Sequence, residues 1–159
     1  SEATAAADNQ AAIRRDPMAM LPFCGYNMGD YWQHWLDMEG KVSKLPTIFR
    51  INWFRKEADG KWMWPGFGQN MRVLQWIVKR VNGQVKGQET LFGTVPEYDD
   101  INWNGLAYDK ETFARLMAVD KQSSQREFED QANLFRKIGA SLPKELEEQR
   151  LAMLAQLQD

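Results

Sequence analysis

A mixed α/β (α+β) fold, with few short strands, several helices and a helical C-terminal third, is what this sequence predicts. Three observations carry the prediction. Apolar residues recur at helical spacing in several segments, such as Tyr31, Trp32, Trp35 and Leu36, and again Val73, Leu74, Trp76 and Ile77. Strand-like alternation is confined to short runs, such as Phe49, Ile51 and Trp53 against Arg50 and Asn52. Beyond Asp109 every segment reads as helix, and the strands before it are too few for a complete sheet.

The elements follow in order. Residues Ser1 to Arg15 are mostly small and have almost nothing to bury, so by themselves they predict a mobile terminus. Asp16-Pro17 blocks any helix from that side. Met18 to Asn27, apolar but broken by Pro22 and Gly25, predicts a buried irregular segment. A helix over Asp30 to Met38 is closed by Gly40. His34, among its tryptophans, reads as a satisfied structural histidine. Pro46 introduces a strand over Thr47 to Phe54. Lys56 to Lys61, containing Ala58-Asp59-Gly60, predicts a hairpin-type turn, with Trp62 to Trp64 as a short return strand. Asn70 begins a helix that ends at Asn82-Gly83. Leu91 to Val95 predicts a strand stopped by Pro96, and Asp99 to Tyr108 a loop. Asp109 is a good N-cap for a helix carrying Phe113, Leu116 and Met117. Further helices span about Ser123 to Ile138, ended by Gly139, and Pro143 to Leu157, the last polar enough to lie on the surface.

Composition narrows the function. The 159 residues fit one domain or a piece of a larger one, and a 43% hydrophobic content supplies a core. Twenty basic against 22 acidic residues leave a net charge of -2, which argues against bulk electrostatic binding to nucleic acid or to an anionic membrane. No apolar run approaches a membrane span and no secretory signal pattern opens the chain, and a single cysteine makes a reducing cytoplasm the expectation. One cysteine, Cys24, and one histidine, His34, allow no intrachain disulfide and make a zinc site within the chain unexpected. The start at Ser1 rather than methionine hints at an excised fragment.

The segment richest in chemistry runs from Trp53 to Asn70. Trp53, Phe54, Trp62, Trp64 and Phe67 fall on turn-rich sequence, followed by the amide of Asn70. Flat rings plus a directed hydrogen-bonding group are what a purine base requires. Phe54, Trp62 and Phe67, brought from three directions, would sandwich a heterocycle, each stack contributing about 1–3 kcal/mol. Asn70, or the backbone of Phe67-Gly68-Gln69-Asn70, would read its edge, and Gly66 and Gly68 would let the backbone approach closely. The plainer alternative makes Asn70 a helix cap and the rings core, as Trp53 and Trp64 are expected to be on either reading. No phosphate-cradling loop accompanies the rings. Gly40-Lys41 and Gly60-Lys61 lack both the preceding glycine and the following hydroxyl, and Gly66-Phe67-Gly68 does not continue to the glycine of a dinucleotide fingerprint. Whatever holds phosphates and metal must lie elsewhere.

Several blocks in register resemble one family: Ser1-Glu2-Ala3-Thr4-Ala5-Ala6-Ala7, Asp16 to Asn27, Asn52-Trp53-Phe54-Arg55, and Trp64-Pro65-Gly66-Phe67-Gly68-Gln69-Asn70. Together they resemble the guanine-binding region of GTP-dependent phosphoenolpyruvate carboxykinase, densely up to Val81 and more loosely through Gly93-Thr94-Val95-Pro96 into the last helices. The resemblance implies a longer gluconeogenic enzyme that converts oxaloacetate and GTP to phosphoenolpyruvate, carbon dioxide and GDP with manganese and magnesium. Its phosphate loop, metal ligands and most substrate-binding groups would lie upstream. The present chain would be its C-terminal piece, inactive alone, with no catalytic residue or metal ligand of its own.

On this resemblance residues 1–15 form a mobile lid, 16–98 the guanine-pocket region and 99–159 a helical C-terminal region. GTP would be held by Phe54, Trp62, Phe67, Gly68, Gln69 and Asn70. Phe23 would line the oxaloacetate or phosphoenolpyruvate pocket, and Ala3, Thr4, Ala5, Ala6, Ala7, Asp8 and Asn9 would belong to the lid. The partners implied are a guanine nucleotide, the carboxylate substrate and the upstream part of the same enzyme, with surfaces that meet that part left exposed in the piece alone. Trp62 stands where phenylalanine is common, Gln69 where glutamate is common, Met71 where serine is frequent, and Asn9 where some relatives carry histidine. From the residues alone two other readings stay open: an independent purine- or peptide-binding module, and a structural fragment whose aromatic cluster is only core.

Overall fold

The computed structural model describes residues 2–3, 12–13, 16 and 20–158. The chain gathers into two compact units, one formed by Ser1–Leu45 with Asp120–Asp159 and the other by Pro46–Val119. Residues 99–119 therefore gather with the aromatic segment and not with the last two helices. The mixed class holds: short strands, several helices, and a C-terminal third that is almost entirely helical.

In the first unit a two-residue strand β1 (Glu2–Ala3) pairs antiparallel with β2 (Ala12–Ile13). Helix α1 spans Met28–Asp37, α4 Lys121–Ile138 and α5 Lys144–Gln158. Asn27 starts α1: its side-chain oxygen accepts from Gly29 N at 2.7 Å, and its Nδ2 donates to Ile138 O at 3.1 Å. One residue thus caps α1 and ties it to the end of α4. Met28, Trp32 and Ile138 form the buried centre, with Leu134, Phe135, Leu142 and Leu146 packed around it. The last helix is less superficial than its polarity predicts. It buries Leu157 and Arg150, whose guanidinium donates to both carboxylate oxygens of Glu147, at 2.8 and 2.5 Å, and to Phe128 O at 3.3 Å. These bonds satisfy a charge that burial would otherwise penalise.

The second unit holds α2 (Asn70–Val81), an antiparallel ribbon of β3 (Gln88–Thr90) and β4 (Gly93–Val95), and α3 (Lys110–Met117). Trp76, Ile101, Tyr108 and Phe113 are its buried centre. Helix α2 is apolar on more than one side: Trp76 is buried, while Met71, Leu74, Val78 and Val81 are exposed.

Several elements differ from expectation. Thr47 to Phe54 has no strand partner among the described residues, and its return segment contributes only one bridge, Lys56 to Trp62. Alternation alone cannot make a strand where no neighbour takes the backbone groups. The strand expected over Leu91–Val95 begins at Gly93, because Leu91 and Phe92 form the turn to β3, whose polar Gln-Glu-Thr run carries no apolar signal. Met20 to Asn27 is irregular but not buried, with Phe23 and Tyr26 79% and 60% exposed. His34 is exposed in the last turn of α1, beside Trp35, rather than enclosed. Tyr98–Asp100, at the start of the expected loop, is a turn of 3-10 helix.

Candidate functional site

The hairpin turn forms as the Ala58-Asp59-Gly60 signal predicts. Glu57 N donates to Lys61 O at 2.8 Å, Gly60 N to Glu57 O at 2.9 Å, and Met63 N to Arg55 O at 2.9 Å. Arg55 anchors the hairpin by donating to Leu116 O and Ala118 O, at 2.6 and 2.7 Å, at the end of α3. Helix ends offer such unpaired carbonyls, and a cation suits them. This turn brings Phe54 and Trp62 together with centroids 5.8 Å apart, inclined at 69°. That is an edge-to-face contact, not a gap wide enough for a base. Both rings remain largely exposed, at 72% and 54%. The Lys56 ammonium lies 4.2 Å from the Trp62 ring centroid, a cation–π contact on one face.

Phe67 stands apart. It is 91% exposed and makes no ring contact among the described residues. Its turn, Phe67–Gln69, is 3-10 helix entered through Gly66 at φ 111°, a conformation that strains any residue with a Cβ. Gln69 N and Asn70 N are used by this turn, donating to Gly66 O at 3.0 Å and to Phe67 O. Phe67 N and Gly68 N have no acceptor among the described residues, as the first N–H groups of a helix do not. Gly68 has open space where a Cβ would sit. Gln69 Oε1 accepts from Arg72 Nε at 2.7 Å.

Asn70 neither caps α2 nor stands idle. It is the first residue of the helix, and its Oδ1 accepts from the indole Nε1 of Trp64 at 2.8 Å. That bond joins the hairpin carrying Phe54 and Trp62 to the turn carrying Phe67. Trp64 is buried as expected, whereas Trp53 is only half-buried and packs on it at 5.8 Å.

An aromatic support adjoins Trp64, with Trp103 and Tyr108 in the segment read from sequence as loop and Tyr98 just before it. Trp103 stacks on Tyr98 at 5.2 Å and on Tyr108 at 5.1 Å. Tyr108 Oη donates to Met63 O at 2.9 Å, and Tyr98 Oη to Tyr108 O at 2.7 Å. Burial, and then the negative charge of Glu57, push the Tyr108 hydroxyl above its ordinary value of 10.0, so it remains a donor. Arg72 ties the loop down by donating to Asn102 O and, at 2.9 Å, to Asn104 O. The signal available was the even spacing of Tyr98, Trp103 and Tyr108, which matches no regular element.

Residues 1–156 match the family model described as the phosphoenolpyruvate carboxykinase C-terminal P-loop domain. The chain belongs to this family. Phosphoenolpyruvate carboxykinase (GTP) of Anaeromyxobacter sp. (strain K) is 47% identical over 155 residues, 97% of this chain and 26% of the relative. The enzyme of that name from Corynebacterium jeikeium (strain K411) is 44% identical over 146 residues, 90% of this chain and 24% of the relative. The chain thus spans about a quarter of the length of the curated relatives it matches. Of the carboxykinase positions expected in this chain, Phe23 lies exposed on the 3-10 turn Leu21–Phe23 of the first unit. Ala3 lies in β1, and Thr4 to Asn9 fall outside the described residues. Among the described residues no group of three His, Cys, Asp or Glu side chains converges to fit a metal ion, and no helix is long and apolar enough to cross a membrane.

Proposed function

We propose that this chain serves as the base-holding part of a cytoplasmic GTP-dependent phosphoenolpyruvate carboxykinase, which decarboxylates and phosphorylates oxaloacetate to phosphoenolpyruvate in gluconeogenesis. Phe54, Trp62 and Phe67 enclose the guanine, and Asn70 reads its edge together with the free N–H groups of Phe67 and Gly68. Family membership supports the activity. The observation that supports the local reading is the Trp64–Asn70 hydrogen bond, which ties the hairpin bearing the exposed Phe54 and Trp62 to the turn bearing the exposed Phe67. Phe54 and Trp62 touch each other, so the base lies against the pair rather than between them.

Residues 3–13 act as the lid. Loss of carbon dioxide from oxaloacetate leaves an enolate that must be phosphorylated before a proton reaches it, and a closing lid excludes water during that interval. Small side chains order against neighbours at low entropic cost. Phe23 lines the carboxylate pocket. Manganese and magnesium come with the activity and assist phosphoryl transfer when bound. Their binding is assigned to no residue of this chain.

Trp62→Ala or Asn70→Ala in the full-length enzyme should weaken GTP far more than oxaloacetate. Loss of one stacking ring is expected to cost about 1–3 kcal/mol of nucleotide affinity. Equal losses for both substrates, measured as separate KM values, would remove the clamp. The 159-residue chain alone should show no carboxykinase turnover; activity in a preparation free of longer enzyme would overturn that expectation.

A further inference from the structure

We infer that Trp64 determines guanine-over-adenine selectivity at this site by fixing which end of the Asn70 amide can face the base. The inference rests on the clamp reading above and deepens it. An indole N–H can only donate, and an amide nitrogen cannot accept. The 2.8 Å contact from Trp64 Nε1 therefore binds the carbonyl end of Asn70, and the amide orientation follows from chemistry. The NH2 end is what remains for a ligand, and Nδ2 has no partner among the described residues.

The two purines differ at this point. Guanine presents a 6-oxo acceptor, which an NH2 group satisfies, while adenine presents a 6-amino donor, which meets it donor to donor. A half-turn of the amide would reverse the preference. With Trp64 in place, that half-turn would aim two N–H groups at each other and leave a buried indole donor unpaired, which a protein interior penalises.

The lock is itself held. Trp64 is 5% exposed, and its ring lies 5.8 Å from Trp53, 6.1 Å from Tyr108 and 6.4 Å from Trp103. Tyr108 in turn fixes the adjoining backbone through Met63 O. Trp64 never touches the base on this account. It is a positioning residue, and the stacking rings are left to hold either purine.

The test is the ratio of ADP to GDP dissociation constants, which measures the guanine preference, obtained by calorimetry on the full-length enzyme. Trp64→Phe should lower this ratio of preference by about tenfold or more, since an unheld amide can satisfy either base. The sulfur isostere of tryptophan, β-(3-benzothienyl)alanine, placed at position 64 keeps the ring shape and removes the donor, so it gives the same answer if phenylalanine fails to fold. Trp53→Phe, in the same cluster without the bond, should leave the ratio unchanged. Asn70→Asp still accepts from Trp64 but offers only oxygen to the base, and should abolish the guanine preference. Equal weakening of GDP and ADP by both Trp64 replacements would overturn the inference and make Trp64 purely structural. If Asn70→Ala itself leaves the ratio unchanged, the clamp reading fails and this inference with it; if Asn70→Ala lowers the ratio but the Trp64 replacements do not, only the orienting role fails.

Discussion

Gly29 has no side chain, and its surroundings leave room for none. A Cβ there would lie 2.6 Å from the carbonyl carbon of Ser141, closer still to its oxygen, and 2.9 Å from Ile138 Cγ2. Two of these three atoms are backbone, which cannot swing aside. Gly29→Ala should therefore push α1 off the turn after α4 and destabilise the first unit by about 1–3 kcal/mol, read as a fall in unfolding midpoint. Tyr108 is the counterpart in the second unit. Its folded pKa is raised, so its contribution is fully present below 10.0 and is lost as pH climbs through the folded value. Alkaline unfolding should show this loss, and Tyr108→Phe should remove it while costing about 1–2 kcal/mol at neutral pH for the abandoned carbonyl of Met63. A pH profile unchanged by the substitution would assign the alkaline transition to another group.

At the scale of elements, caps succeeded where alternation failed. Asp109 accepts from Thr112 N at 2.7 Å and starts α3; Asp120 accepts from Ser123 N at 2.7 Å and starts α4. Backbone N–H donation, from Thr112 and Ser123 respectively, is the main cause holding both carboxyls below 3.8. For depressed acids the stabilisation is complete above the unfolded value and is lost as pH falls through the folded one. Helix content followed by circular dichroism should drop in that acid window. Asp120→Asn should keep the cap and flatten its share of the pH dependence, whereas Asp120→Ala should lose the cap at every pH. A helix end is local and so is legible in sequence, and Asp109 and Gly139 mark their ends correctly. A strand is a relation between two segments. Phe49, Ile51 and Trp53 alternate, yet without a paired neighbour among the described residues the pattern yields an extended segment, in which Phe49 packs edge-on against Trp76 at 6.0 Å and Ile51 stays exposed.

At the scale of the whole molecule, each unit has its own buried centre, Met28, Trp32 and Ile138 in one and Trp76, Ile101, Tyr108 and Phe113 in the other. Exposed apolar residues on α2, with Phe23, Ile48, Phe54 and Phe67 elsewhere, make more uncovered apolar surface than scattered single residues would. The rings of the proposed clamp belong to this uncovered set, and Trp53 and Trp64 to the packed one, graded by burial. By itself the sequence determined the mixed fold class, the helix ends marked by Asp109 and Gly139, the hairpin turn at Gly60, and, through blocks in register, the family. Those features are written in local chemistry: a cap, a turn residue, a spacing. Only the tertiary structure decided that Phe54 meets Trp62, that Phe67 stands clear of both, and that Tyr98, Trp103 and Tyr108 stack into a support. It alone decided that the oxygen of Asn70 is taken by Trp64, because a hydrogen bond across a turn depends on where two side chains arrive and not on which residues they are.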